Sequence, residues 1–131
     1  MSQEKHFIVD VAIVGGGPAG VSTCLWCHSL GLSSVIIESA PELGGQLLQL
    51  HHPVMDYPGL PGYSGLEIRN SFEKHLKAVQ AAILKGATDL ALDLHSQILS
   101  IGDGTTVKWN ALVIATATHA HHPLVLLAAE H

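Results

Sequence analysis

Apolar and polar positions in the first forty residues mark out a strand, a break, a helix and a second strand. The run Phe7-Ile8-Val9-Asp10-Val11-Ala12-Ile13-Val14 stops at Gly15-Gly16-Gly17-Pro18-Ala19-Gly20. A segment of helical period follows to about Leu30, then Val35-Ile36-Ile37 ends in Glu38. From Ser39 to Gly62 the chain is rich in Gly and Pro and reads as a long loop, a length that in compact domains usually carries function. Ser64 and Glu67 form a capping box at the start of a helix predicted over 64–85. Its stripe is Leu66, Ile68, Phe72, Leu76, Val79 and Ile83, and its C′ residue is Gly86. Leu90, Leu92 and Leu94 alternate as in a strand. Ile98-Leu99-Ser100-Ile101, Gly102-Asp103-Gly104 and the stretch from Thr105 to Trp109 read as antiparallel strands about a tight turn. The unbroken run Ala111-Leu112-Val113-Ile114-Ala115 suits a strand covered on both faces of a parallel sheet.

These elements predict a parallel sheet from strands near 9–14, 34–38, 88–94 and 111–115. Helices near 18–30 and 64–85 cover it, and an antiparallel excursion lies near 97–109. The fold class is α/β, Rossmann-like and three-layered. Strand, glycine turn, helix, strand and acid in register form the dinucleotide-binding fingerprint. Gly15 serves the tight turn, Gly17 lets the backbone approach a pyrophosphate, and Gly20 lets the helix pack close to the strand. The helix N-terminus offers N–H groups and a positive dipole end to phosphates. Glu38, 18 residues beyond Gly20, lies where a carboxylate can accept from ribose hydroxyls.

Composition narrows the setting. At 131 residues the chain is one domain, and 47% apolar content supports a core. Only 13% of residues are charged, against roughly 25% in typical soluble domains. Part of the surface is therefore expected to lie under a cofactor, a partner or a further domain. A net charge of −5 argues against nucleic acid or an anionic membrane as partner. The polar start Met1-Ser2-Gln3-Glu4-Lys5-His6 is no signal peptide, and no apolar run is long enough to span a membrane. A cytoplasmic protein is the default.

Cys24-Leu25-Trp26-Cys27-His28 fits Cys-x-x-Cys-His, the haem attachment sequence. Packing is the stronger reading. Val21, Cys24, Leu25 and His28 would share the inward helix face, where a haem thioether would push the helix off the sheet. The ten histidines include His51-His52 and His119-x-His121-His122. These could pick up a transition metal adventitiously, but no carboxylate or cysteine stands at ligand spacing, and no dedicated metal site is expected. No carboxylate pair or activated nucleophile is evident either, so any chemistry would be a cofactor's own.

The order of motifs resembles the first FAD-binding segment of the pyridine-nucleotide–disulfide oxidoreductases. Within that group it is most similar to the thioredoxin reductases and the thioredoxin-reductase-like ferredoxin–NADP reductases. The resemblance spans roughly Val9 to Pro123. It rests on the glycine turn, Ile36-Ile37-Glu38, Gly44-Gly45-Gln46, Asp56-Tyr57-Pro58-Gly59 and Ala111 to Thr116. It implies FAD as cofactor, with the pyrophosphate on Gly15, Gly17, Pro18, Ala19 and Gly20, and the adenosine ribose on Glu38 and Ser39. Gly45, Gln46 and Asp56 would run close to the flavin, and Ala115 and Thr116 return to the cofactor.

Three departures bear on function. The family's Ala-Thr-Gly is here Ala115-Thr116-Ala117. The chain ends at His131, so a returning strand and an NADPH-binding domain are expected to be absent, leaving one incomplete FAD-binding domain. The Cys-x-x-Cys of thioredoxin reductase belongs to that absent domain. Two function classes follow. One is an FAD-holding oxidoreductase module that needs a homodimer partner or a complementing domain and does not turn over alone. The other is a non-catalytic nucleotide-binding or structural module that keeps the fold.

Overall fold

Residues 4–117 and 125–127 are described by the structure, a computed structural model. In chain order they form β1 (His6–Val14), α1 (Pro18–Ser29), β2 (Ser34–Ile37), a 3-10 helix (Gly45–Gln49) and α2 (Gly65–Ala78). These are followed by β3 (Ala82–Leu84), β4 (Ala91–Asp93), β5 (Ile98–Ser100), β6 (Thr106–Ile114) and β7 (Val125–Leu127). The seven strands make one sheet in the order β3-β2-β1-β6-β5-β4-β7. Pairing is parallel from β3 through β6, with Val14 opposite both Ile37 and Ile114. It is antiparallel for β5 against β6 and β4, and parallel for β4 against β7.

Alternation along β1 and β2 sends side chains to both faces, and each face has its own core. Val11, Ile13 and Ile36 pack under α1 and α2 with Val21, Cys24 and Leu76. On the other face Val35 and Ile37 share a cluster with Leu92 and Leu99. The antiparallel excursion therefore curls back over the parallel strands, giving the third layer. Ile13, Ile36 and Ile37 are wholly buried, and each is worth about 1.5–3 kcal/mol of hydrophobic stabilisation. Asp10 ties the start of β2 to β1. The Ser33 backbone N–H and hydroxyl both donate to its Oδ2, at 2.8 and 3.0 Å. Those bonds, the backbone one foremost, hold its carboxyl below the usual aspartate range.

Four expectations are corrected. The helix predicted over 64–85 ends at Ala78, and residues 82–84 are instead the fourth parallel strand, β3. The stop is a Schellman motif, with Ala81 N–H donating to Leu76 O at 3.0 Å and Gln80 N–H to Lys77 O at 3.1 Å. Its left-handed residue is Gln80, φ +56, so Gly86 is not the C′ residue. Helix α1 closes with the same pair of bonds around Gly31, where the expected residue type is present. The second correction concerns the strand near 88–94, which shrinks to Ala91–Asp93 and pairs antiparallel with β5. Third, residues 105–109 and 111–115 do not form separate strands. They run on as β6, which pairs with β1 throughout and with β5 only over Thr106–Lys108. Fourth, the far half of β6 is not covered on both faces, since Ala111 is exposed and Ile114 is 52% exposed. The Ser64–Glu67 capping box is present, with bonds of 3.1 and 2.7 Å.

Inward packing of α1 uses Gly20, Val21, Cys24 and Cys27, while His28 points outward and is exposed. Both cysteines are free, 2% and 6% exposed, and burial pushes the Cys27 thiol up. The folded chain is therefore expected to react with a thiol reagent such as DTNB at least about tenfold more slowly than the denatured chain, because only exposed thiolate attacks. Fast titration of both thiols without denaturant would contradict the packing. Among the described residues no group of three or more His, Cys, Asp or Glu could hold a metal ion. The His119, His121 and His122 cluster lies outside the described residues. No helix among them is long and apolar enough to cross a membrane.

Candidate functional site

At the ends of β1 and β6 the chain builds a corner from backbone alone. Leaving β1, Gly15 turns at φ +114, a conformation open to glycine. A Cβ there would lie 2.6 Å from the Ala115 carbonyl carbon and 3.1 Å from the Thr116 nitrogen. Ala115 N–H donates to Val14 O at 2.7 Å. The first glycine of the turn and Ala115-Thr116 are thus in direct backbone contact. Gly20, in the first turn of α1, presses on Gly15, since a Cβ would lie 2.9 Å from the Gly15 carbonyl carbon and overlap its oxygen.

Gly17 differs. It is the N-cap of α1, its N–H neighbours receive no side-chain cap, and no acidic residue stands in the first turn. A Cβ at Gly17 would meet only Gly44 and Gly45 backbone atoms, each at 3.9 Å. The fold itself therefore leaves room for a side chain there, in front of a positive helix end whose first N–H groups have no intrahelical partner. Pro18 at the first helical position and exposed Ala19 complete the turn.

A second glycine turn lies against the first. Gly44 N–H donates to Gly16 O at 2.9 Å, and a Cβ on Gly45 would sit 3.3 Å from the Gly17 Cα. Leu43, wholly buried, fills the space that a side chain on Gly16 would need. Gln46 follows in the first turn of the 3-10 helix. Glu38 joins the two turns to β2. The Gly16 N–H donates to its Oε1 at 3.0 Å, the Ala40 N–H to its Oε2 at 2.9 Å, and the Ser39 hydroxyl to Oε2 at 3.4 Å. A carboxylate has about four acceptor positions, so capacity remains for a ligand hydroxyl.

The structure thus gathers Gly15, Gly17, Pro18, Ala19, Gly20, Glu38, Ser39, Gly45, Ala115 and Thr116 at one corner, with Gln46 adjoining. Asp56 stands apart on the exposed segment between Val54 and Tyr63, which bridge antiparallel. That segment is fastened to α2 by Tyr57 on Phe72, ring centroids 6.1 Å apart. Sequence reasoning placed Gly16 and Gly44 in their motifs without a role of their own, and it passed over Leu43. A groove of about 540 Å³ opens elsewhere, between α2 and β3, lined by Leu43, Leu76, Ile83, Lys74, Lys77 and Lys85. Its cations are side-chain ammonium groups, and the Glu73 carboxylate stands among them.

Ala117 takes the third place of the family's Ala-Thr-Gly and adopts φ +59. That left-handed conformation costs a residue with a Cβ about 1 kcal/mol. Ala117→Gly is therefore expected to raise stability by about 1 kcal/mol, read as a higher urea midpoint at unchanged slope. A lower midpoint would contradict the strain.

Residues 9–128 match the family described as pyridine nucleotide-disulphide oxidoreductase. The chain belongs to the pyridine nucleotide-disulphide oxidoreductase family. It is 33% identical over 132 residues to the ferredoxin–NADP reductase of Colwellia psychrerythraea, covering 93% of this chain and 36% of that protein. It is likewise 33% identical over 118 residues to that of Acidiphilium cryptum, covering 87% and 35%. A thioredoxin reductase structure from Gloeobacter violaceus superposes with a TM-score of 0.68 at 32% identity, covering 84% of this chain and 34% of that one. A Streptococcus pyogenes thioredoxin reductase, at 23% identity and a TM-score of 0.71, shares the fold. The chain spans about a third of the length of the curated relatives it matches. Proteins of this family are FAD-binding flavoproteins, and the corner described above fits such a cofactor: free helix N–H groups, an open Gly17 and a carboxylate at the end of β2.

Proposed function

We propose that this chain is the FAD-holding part of a flavoprotein oxidoreductase resembling ferredoxin–NADP and thioredoxin reductases, with the nicotinamide site supplied by another domain. The observation that carries the reading is the pair of stacked glycine turns in front of the α1 N-terminus, with space kept open at Gly17. Within Gly15 to Gly20 the N–H groups of Gly17, Ala19 and Gly20 receive the pyrophosphate, and the helix dipole there favours negative charge. Those of Gly15 and Gly16 donate to Ile37 O and Glu38, and Pro18 has none. Glu38, already fixed by Gly16 and Ala40 and supported by Ser39, turns its remaining acceptor position to the adenosine ribose. Gly45 and Gln46 line the way to the flavin, Asp56 being set apart from them on its exposed segment, and Ala115-Thr116 back the turn from the sheet side. Bound FAD would supply hydride and electron transfer, and this chain's own part is to hold and orient it.

The outer edge of β6 beyond Lys108 pairs with no strand among the described residues. A complementing domain or a second copy of the chain covers that edge, since unpaired edges are templates for association. The two free thiols accord with a cytoplasmic setting.

A flavin-fluorescence titration tests the assignment. The purified chain should bind FAD at one site, and Glu38→Ala should weaken binding by about 1–3 kcal/mol, the scale of a lost charged hydrogen bond. A colourless chain that takes up no added FAD would favour a non-catalytic module. Unchanged affinity in the Glu38→Ala variant would remove the ribose assignment.

A further inference from the structure

Nothing in the nucleotide fingerprint explains how the second glycine turn is held against the first. Among the contacts that surround it, those of Arg69 converge on the segment 42–44. This side chain rises from the second turn of α2 and is 14% exposed. Its Nε donates to the Leu43 carbonyl at 3.3 Å, Nη1 donates to Asn70 Oδ1 at 2.7 Å, and Nη2 pairs with Glu42 and stands 3.7 Å from Glu73. A Cβ on Gly44, where φ is +122, would lie 2.8 Å from the Arg69 Cγ. The guanidinium therefore grips residues 42 and 43 while its stem closes over residue 44. Gly44 N–H in turn donates to Gly16 O, and Gly45 sits against Gly17.

We propose that Arg69 is a positioning residue of the dinucleotide cradle, locking the Gly44–Gly45 turn on the Gly16–Gly17 turn. This inference rests on the FAD reading for its ligand, but its mechanical half stands on the contacts alone. A planar fork with separated donors suits the task, because one group must serve a carbonyl and a carboxylate together. Lys85 belongs to the same charge network, 3.3 Å from Glu73 and 3.9 Å from Glu42, yet these ion pairs reach neither Leu43 nor Gly44. It serves as the internal control.

Amide exchange on the isotope-labelled chain and an FAD titration, run on wild type, Arg69→Met and Lys85→Met, separate the roles. Arg69→Met should speed exchange of the Gly44 N–H by about tenfold or more and raise the Kd for FAD by about tenfold, the size of one lost hydrogen bond to a charged group. Lys85→Met should leave both within about threefold of wild type. Should Arg69→Met fail to fold, Arg69→Lys is read by the same two measurements. A lysine keeps much of the stem over Gly44 but cannot reach Leu43 and Glu42 together. Unaltered Gly44 exchange, equal effects of the two Met variants, or faster exchange with unaltered FAD affinity would each overturn the positioning role. If wild type itself takes up no FAD, the flavin reading fails, while Gly44 exchange still decides whether Arg69 locks the turn.

Discussion

Gly20→Ala is expected to lose about 3 kcal/mol or more of folding stability, a large share of the roughly 5–15 kcal/mol that holds a domain of ordinary stability. The methyl group would overlap the Gly15 carbonyl oxygen and sit 2.9 Å from its carbon. Both are backbone atoms in the turn between β1 and α1, so no side chain can swing aside. Relief would require α1 to lift from the sheet, uncovering its own Val21 and Cys24 and the Ile13 side chain of β1 beneath them. Urea unfolding followed by circular dichroism reads the effect directly. A midpoint within about 0.5 kcal/mol of wild type would show that the helix does not approach the strand as closely as described.

Gly17→Val should do the reverse. The protein itself presents only ordinary contacts to a Cβ at this position, and φ there is −81. The fold should therefore survive, at a cost of about 1 kcal/mol for a poorer helix cap. FAD binding should fall by at least about 100-fold, roughly 2.7 kcal/mol. The isopropyl group would occupy the space in front of the α1 N-terminus, and each charged hydrogen bond to phosphate that is lost costs about 1.5–3 kcal/mol. Flavin fluorescence supplies the affinity and urea unfolding the stability. Retained affinity would place the phosphates elsewhere, and loss of the fold would mean that Gly17 is structural. The pair of variants separates two reasons for glycine within one motif.

The part of the site that depends on local order was legible in the sequence. Strand, turn, helix and acid follow one another within residues 6–38, so their spacing carried enough information to bring Gly15, Gly17, Gly20 and Glu38 together. Contacts between distant segments were not legible. The Gly44–Gly16 and Arg69–Leu43 contacts join positions 28 and 26 apart in sequence, and no periodicity records them. The end of α2 was missed because Gln80 takes the left-handed place that glycine marks at Gly31. A stripe of helical spacing then ran on through Ile83 into what is a strand. The strand at 111–115 is present and parallel to β1, but its covering was misread, because a continuous apolar run implies two covered faces. In the structure Ile114 is half exposed, at the end of the stretch of β6 whose outer edge no strand among the described residues pairs with.

Where a dinucleotide's phosphates actually settle tests the central claim most directly. A heteronuclear NMR titration of the labelled chain with ADP, which carries pyrophosphate and ribose without flavin, reads each backbone amide separately. The largest shifts are expected at Gly16, Gly17, Ala19 and Gly20, with Gly45 and Ala40 following as the second turn and the Glu38 contacts respond. Shifts centred on Lys74, Lys77 and Lys85, or none at the glycine turns under saturating ADP, would contradict the cradle.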